Sequence, residues 1–228
     1  MSHAVYVTGT DTGVGKSLAA ATLLAALNAN GVRAIGMKPV ASGCERTPTG
    51  LRNADAELLI AHSAGAPAYA DVNPYAFADP IAPHLAAADA GIEIELSRID
   101  AAFAALSTNV QFLVVEGVGG WMAPLGPQLM QVDLVRALHL PVILVVGLRL
   151  GCLNHALLSA RAIRADGAEL TGWIASSVDA QMARPEDNLA TLRERLEAPC
   201  LGVLPYSAAP DPIVLAAHLG PACNHLLD

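Results

Sequence analysis

The feature that most restricts the fold is a junction near the amino end. The β-branched run Ala4–Thr8 passes straight into Gly9-Thr10-Asp11-Thr12-Gly13-Val14-Gly15-Lys16-Ser17, and an Ala- and Leu-rich helical stretch, Lys16–Ala29, follows without a break. A strand, a glycine-rich loop and a helix in that order begin a βαβ unit, which needs a second, parallel strand beside the first. Short apolar runs at Arg33–Met37, Phe112–Glu116, Val142–Val146, Thr171–Ala175 and Cys200–Leu204 supply the partners. Helical stretches at Asn53–His62, Leu96–Leu106, Leu129–Leu138, Leu153–Arg164 and Glu186–Leu196 alternate with them. The central runs are apolar throughout, as strands buried on both faces are. The expected fold is α/β, a mainly parallel central sheet with helices on both faces.

At 228 residues the chain matches one sizeable domain, and residues 1–228 are expected to form a single unit. The stretch from Ala64 to Gly91 carries prolines 67, 74, 80 and 83 without a clean period, and is expected to run irregularly over one sheet edge. A net charge of −8 with no Lys/Arg run leaves no electrostatic footprint for nucleic acid or an anionic membrane, so neither is an expected partner. The most apolar stretch, Val142–Leu150, falls far short of the ~20 residues that span a bilayer. No basic, then apolar, targeting segment precedes the first strand. Cys44, Cys152, Cys200 and Cys223 form no CxxC pair, which argues against a zinc cluster or a disulfide scaffold and suits a reducing cytoplasm.

Of the 13 basic residues only Lys16 and Lys38 are lysine, and both stand in loops marked by Gly or Pro. Lys16 belongs to a phosphate loop: glycines let successive N–H groups and the helix amino end face an anion, the lysine reaches the terminal phosphates, and the Ser17 hydroxyl can ligate Mg²⁺. The spelling deviates from GxxxxGK[ST], because Gly9 lies one residue early. Lys38 precedes Pro39, which biases it toward an extended conformation and carries it off the carboxyl edge of the sheet, where open α/β sheets bind ligands. The bland alternative is a lysine snorkelling at a strand end.

Glu116 closes an apolar run and is followed by Gly117-Val118-Gly119-Gly120, the placement of a carboxylate that holds nucleotide-bound Mg²⁺. Asp55 opens a helix, where by residues alone a cap is the slightly stronger reading. Gly151-Cys152-Leu153-Asn154 begins another helix and offers N–H groups to an anion, a feature common to helix ends. Thr12, Lys38 and Glu116 are expected on one rim, where a second lysine suits a second substrate that develops negative charge beside the γ-phosphate. The seven histidines lack metal-ligand spacing, and no Gly-x-Ser-x-Gly elbow is present.

Taken together, GTDTGVGKS (9–17), MKPVASG (37–43), LRNADA (51–56), VNPYAF (72–77), VVEGVGGWMAPL (114–125), PVILVVGLRLGCLNHA (141–156) and GWIASS (172–177) closely resemble the dethiobiotin synthetase family. The resemblance runs from about Val5 to Pro205 and implies a P-loop NTPase-like fold. It implies a homodimer that joins CO₂ and 7,8-diaminononanoate into the cyclic urea of dethiobiotin while cleaving ATP to ADP and phosphate, through a carbamate and its phosphoric anhydride. Carried over residue by residue, Gly13, Val14, Gly15, Lys16, Ser17 and Leu18 would hold the phosphates, and Ser17, Asp55 and Glu116 would arrange Mg²⁺. Gly117, Val118, Gly119, Ser176, Ser177, Pro205, Tyr206 and Ser207 would complete the nucleotide site. Lys38 would stabilise the carbamate and its phosphorylated form, Lys16 at the phosphates would be the other catalytic cation, and Thr12 and Ser42 would face the diamine. Gly151, Cys152, Leu153 and Asn154 would bind the substrate carboxylate from the neighbouring subunit.

Ser176-Ser177 stands where the family often has Asn-Asp, Gly13 replaces an acid found in some members, and Pro212 falls where some carry a base- or ribose-contacting acid, with Asp211 the neighbouring candidate to replace it. Serine discriminates bases less sharply than a positioned amide, so partial use of CTP or GTP is expected. The non-enzymatic alternative is a partitioning-type switch ATPase, but those carry an extra lysine where Asp11 stands, and usually a basic surface or membrane tail. A glutamine-dependent amidase would need a further domain for which the chain has no room.

Overall fold

The computed structural model describes residues 3–108 and 110–227. Its centre is a six-stranded parallel sheet in the order Cys200–Leu204, Leu170–Ser177, Val142–Leu148, His3–Gly9, Phe112–Glu116, Ala34–Met37. The amino-terminal strand lies in the middle, where the order reverses, and such a switch point opens a crevice at the carboxyl edge. Two cores cover the sheet. On one face the helix Lys16–Ala29 packs Ala19, Leu23 and Leu27 under Val5, Val7 and Val114. On the other, the helices Leu96–Ser107, Gln131–Ala137, Cys152–Ala165 and Pro185–Arg195 bury Ile99, Leu134, Ala156 and Leu189.

The expected elements are present with shifted ends. Val142–Leu148 and Leu170–Ser177 run past their apolar sequence because Gly147 pairs with Ser176 and Leu148 with Ser177. The helix at Leu129–Leu138 is shorter, Gln131–Ala137, because Pro124 and Met130 are bridged and extend the preceding loop. The excursion does lie against the Ala34–Met37 edge, but it is built of small regular pieces. Tyr69–Val72 and Pro83–Asp89 are helical, and Val40–Ala41 pairs in parallel with Tyr75–Ala76. A hairpin, Glu45–Thr47 with Gly50–Arg52, and a carboxyl-terminal cap of Pro212–Leu215, Ala216–Leu219 and Gly220–Leu227 were not legible as elements. Pro212, Gly220 and Pro221 break the helical period of that cap, which covers Lys16–Ala29.

Candidate active site

The carboxyl ends of the central strands open into a cleft of about 1020 Å³, and Thr12, Lys38 and Glu116 share its rim as expected. The phosphate loop turns into its helix at Gly15, where φ is 86° and an added Cβ would collide with the Ser176 hydroxyl. Only glycine meets both demands. Gly13, Lys16, Ser17 and Leu18 line the cleft, while Val14 is buried under Gly147 and anchors the loop. Lys16 Nζ donates to the Asp11 carbonyl at 2.9 Å, and the Asp11 carboxylate is itself held by Arg149 at 2.6 Å. Burial, reinforced by the charge of Lys38, lowers the Lys16 pKa to about 8.

Lys38 is pinned by its own backbone. Its N–H donates to the Val72 carbonyl at 2.8 Å and its carbonyl accepts from Asn73 Nδ2 at 2.7 Å. The side chain, 3 % exposed, brings Nζ to 2.7 Å from Glu116 Oε1, 3.0 Å from the Gly117 carbonyl and 3.3 Å from Asp55 Oδ2. A merely snorkelling lysine would carry its ammonium into solvent. Burial alone would push the Lys38 pKa down, yet Glu116 and Asp55 together hold it above the ordinary lysine value. Burial pushes the Glu116 carboxyl up despite Lys38. For half-exposed Asp55 the balance is reversed: burial would raise its pKa, but the Lys38 charge and the Ser17 hydroxyl hold it low.

The cap at the Asp55 helix is a different residue. Asn53 Oδ1 accepts from the Asp55 and Ala56 N–H groups at 3.1 and 3.2 Å, which leaves the Asp55 carboxylate free for Lys38. Asn53 is buried, and its N–H donates to the Tyr69 hydroxyl at 2.7 Å. Ser17 Oγ donates to Glu116 Oε1 at 2.8 Å, and Asp55 meets Glu116 through Lys38 Nζ, so the three residues expected to arrange Mg²⁺ lie together. Glu116 Oε2 is buried without a hydrogen-bond partner.

Ser42, Val118, Gly119, Ser176, Ser177, Pro205, Tyr206 and Ser207 also line the cleft, whereas Gly117 contributes through its carbonyl. Residues Pro80 to Pro83, Gly120, Ala123, Pro124 and Val178 line it too, unforeseen by sequence. The Pro80/Pro83 pair was their one signal, and it did not say that the excursion returns to the rim. Asp211 caps Pro212–Leu215 by accepting the Ile213 N–H at 2.9 Å, so its carboxylate is engaged there. The segment Gly151–Asn154 does not reach this cleft. Within it Cys152 is buried, and its N–H donates to the Arg149 carbonyl at 3.0 Å, which leaves Gly151, Leu153 and Asn154 to present polar groups.

A family model described as an AAA domain matches residues 3–213. An ATP-dependent dethiobiotin synthetase BioD of Xanthomonas oryzae pv. oryzae is 60 % identical over 203 residues, covering 89 % of this chain and 91 % of that protein. The chain belongs to the dethiobiotin synthetase family. Another of its members, the BioD of Xylella fastidiosa, is 53 % identical over 219 residues, covering 96 % of this chain and 97 % of that one.

Solved structures extend the likeness of this family member at the level of fold alone. A MinC:MinD cell division protein complex from Aquifex aeolicus aligns with TM-score 0.60 at 11 % identity, covering 99 % of this chain and 96 % of that one. A chloroplast FtsY from Physcomitrella patens aligns with TM-score 0.52 at 18 % identity, covering this chain fully and 66 % of that one. Among the described residues no helix is long and apolar enough to cross a membrane.

Proposed function

We propose that the chain, acting as one domain, catalyses ATP-dependent closure of 7,8-diaminononanoate and CO₂ to dethiobiotin, with ADP and phosphate as the other products. The observation that carries this reading is the second buried lysine, Lys38, beside the phosphate loop and tied to Glu116 and Asp55. A partitioning-type switch carries its extra lysine within the phosphate loop, where this chain has Asp11; here the second lysine comes from another strand and stands where a carbamate attacking the γ-phosphorus needs its charge met.

One amine of the diamine attacks CO₂ and loses a proton to give a carbamate, a carbamate oxygen attacks the γ-phosphorus and displaces ADP, and the second amine attacks the anhydride carbon, loses a proton and expels phosphate. Phosphate-loop N–H groups and Lys16 orient the triphosphate. Lys38 neutralises the carbamate oxygens, and the low-exposure site strengthens both interactions. Thr12 and Ser42 flank the diamine end, and Ile81 and Ala82 offer apolar surface to its carbon chain.

The donor set suits Mg²⁺, which takes one or two carboxylates and completes its shell with phosphate and water oxygens. Ser17, Asp55 and Glu116 would hold it, and the unpartnered buried Glu116 Oε2 fits that demand. When bound, the ion supplies charge neutralisation at the β- and γ-phosphates.

Gly151, Leu153 and Asn154 would meet the substrate carboxylate from a second subunit. That reading is supported by their position outside the chain's own cleft, beside the 97 %-exposed Leu150 and the exposed Leu158. The free thiols of all four cysteines suit a reducing compartment, and we propose the cytoplasm. The test is ADP release with and without the diamine in the presence of bicarbonate and Mg²⁺. Diamine-dependent release is expected, and equal release in its absence would favour a switch ATPase.

A further inference from the structure

Behind the cleft, the loop after Glu116 is held by a side chain that belongs to no recognised motif. Gln131 opens the helix Gln131–Ala137 and is 1 % exposed. Its Oε1 accepts the Val118 N–H at 2.6 Å, its Nε2 donates to the Gly120 carbonyl at 2.7 Å, and its own N–H donates to the Ala123 carbonyl at 3.0 Å.

The Val118 N–H and the Gly117 carbonyl belong to one peptide unit, which is planar with its N–H and C=O directed oppositely. The Gly117 carbonyl is the group that accepts Lys38 Nζ at 3.0 Å. Drawing the N–H back toward Gln131 therefore turns the carbonyl forward toward the ammonium. Crowding reinforces this setting: the Tyr6 hydroxyl and Gln131 Oε1 press on Gly117 so closely that an added Cβ would collide with both. The preceding Gly117 N–H is fixed as well, by the Val7 carbonyl at 3.0 Å.

We propose that Gln131 is a positioning residue for Lys38: by fixing the Gly117–Val118 peptide plane it fixes the carbonyl that, with Glu116, places the ammonium in the cleft. The proposal rests on the ring-closing activity above. Gln131 lies outside the cleft lining, so its removal acts on the reacting groups only through the loop it holds, at the Gly117–Val118 peptide and at the cleft-lining Gly120. The loop that Gln131 holds borders the nucleotide site through Val118 and Gly119, but the phosphate loop, which carries the phosphate contacts, makes none of these hydrogen bonds, so ADP affinity should change far less than kcat.

Three variants separate this role from packing. Gln131→Met fills the same space beside Leu125 and Leu134 but has no N–H acceptor of comparable strength. Gln131→Asn keeps the amide but is one methylene too short to reach both partners. Gln131→Glu keeps the oxygen for Val118 and, protonated in that buried setting, a donor for Gly120.

The readouts are kcat for dethiobiotin formation, the Kd for ADP and the melting temperature. A loss of at least about tenfold in kcat is expected for Met and Asn, with ADP affinity within about twofold and Gln131→Glu within about threefold of wild-type kcat. Should Gln131→Met fail to fold, the contrast between Asn and Glu decides. The proposal is overturned by wild-type kcat in Met or Asn, by equal kcat losses in Asn and Glu, or by ADP affinity falling in step with kcat. Wild-type protein in the same assay keeps the two ideas apart: absence of dethiobiotin there refutes the activity, whereas product undiminished in the variants refutes the role of Gln131.

Discussion

Lys38 Nζ lies 2.7 Å from Glu116 Oε1, a carboxylate with no exposed surface, and the pair sits at the head of the phosphate-loop cleft. Burying two charges costs several kcal/mol each unless they compensate one another. The pair is therefore a poor investment for stability and a suitable one for chemistry, because its ammonium is preorganised in a low-dielectric site where charge develops.

Lys38→Ala is expected to lower kcat by at least about 10²–10³-fold while the fold is retained. The fold survives because burial already raises the Glu116 pKa, so the orphaned carboxyl takes a proton, while half-exposed Asp55 is solvated. Product assays and circular dichroism check this. Undiminished turnover would remove Lys38 from the mechanism.

Lys16, with its pKa lowered to about 8, gives nucleotide binding a pH dependence. Phosphate favours the ammonium, so below pH 8 the site is already charged and ADP affinity is level. As pH rises past 8 the free site loses its proton, binding must recover it, and affinity falls by up to about tenfold per pH unit. Calorimetry at pH 9 in two buffers of different ionisation enthalpy should register proton uptake on ADP binding; a flat Kd from pH 7 to 9 would contradict this.

Asn53→Ala removes a cap and is expected to cost about 1 kcal/mol in urea unfolding. It also loosens Asp55, whose carboxylate is free for Lys38 because Asn53 occupies the cap. The apparent Mg²⁺ requirement should rise alongside the stability loss. A stability change with an unaltered Mg²⁺ titration would mean that the cap does not set Asp55.

The cleft wall beside the phosphate loop, formed by Ser176, Ser177, Val178, Pro205, Tyr206 and Ser207, includes no carboxamide or charged side chain, and Ser176 is packed onto Gly15. Bases should be poorly distinguished, so CTP and GTP are expected to replace ATP in part. The kcat/KM values of the four nucleoside triphosphates measure this, and an ATP preference above about 100-fold would contradict it.

Most of the architecture was legible because central strands announce themselves as continuous apolar runs and the phosphate loop fixes the first crossover. Lys38 and Glu116 were legible as chemistry because each is a charge set directly at a strand end, and Lys16 because it opens a helix straight after a glycine-rich loop. Asp55 was ambiguous, since a first-turn acid is commonly a cap; Asn53, two residues earlier, takes the cap instead, through contacts that local sequence does not reveal. Pro80 to Pro83 and Gln131 were hidden for a related reason. Their roles arise from where the chain returns in space, and neither residue type nor spacing records that return.

The most direct measurement incubates the protein with 7,8-diaminononanoate, ¹³C-bicarbonate, Mg²⁺ and ATP and follows the product by mass. The prediction is dethiobiotin carrying one ¹³C in its urea carbon, formed in step with ADP. ATP turnover without the labelled urea would contradict the assignment.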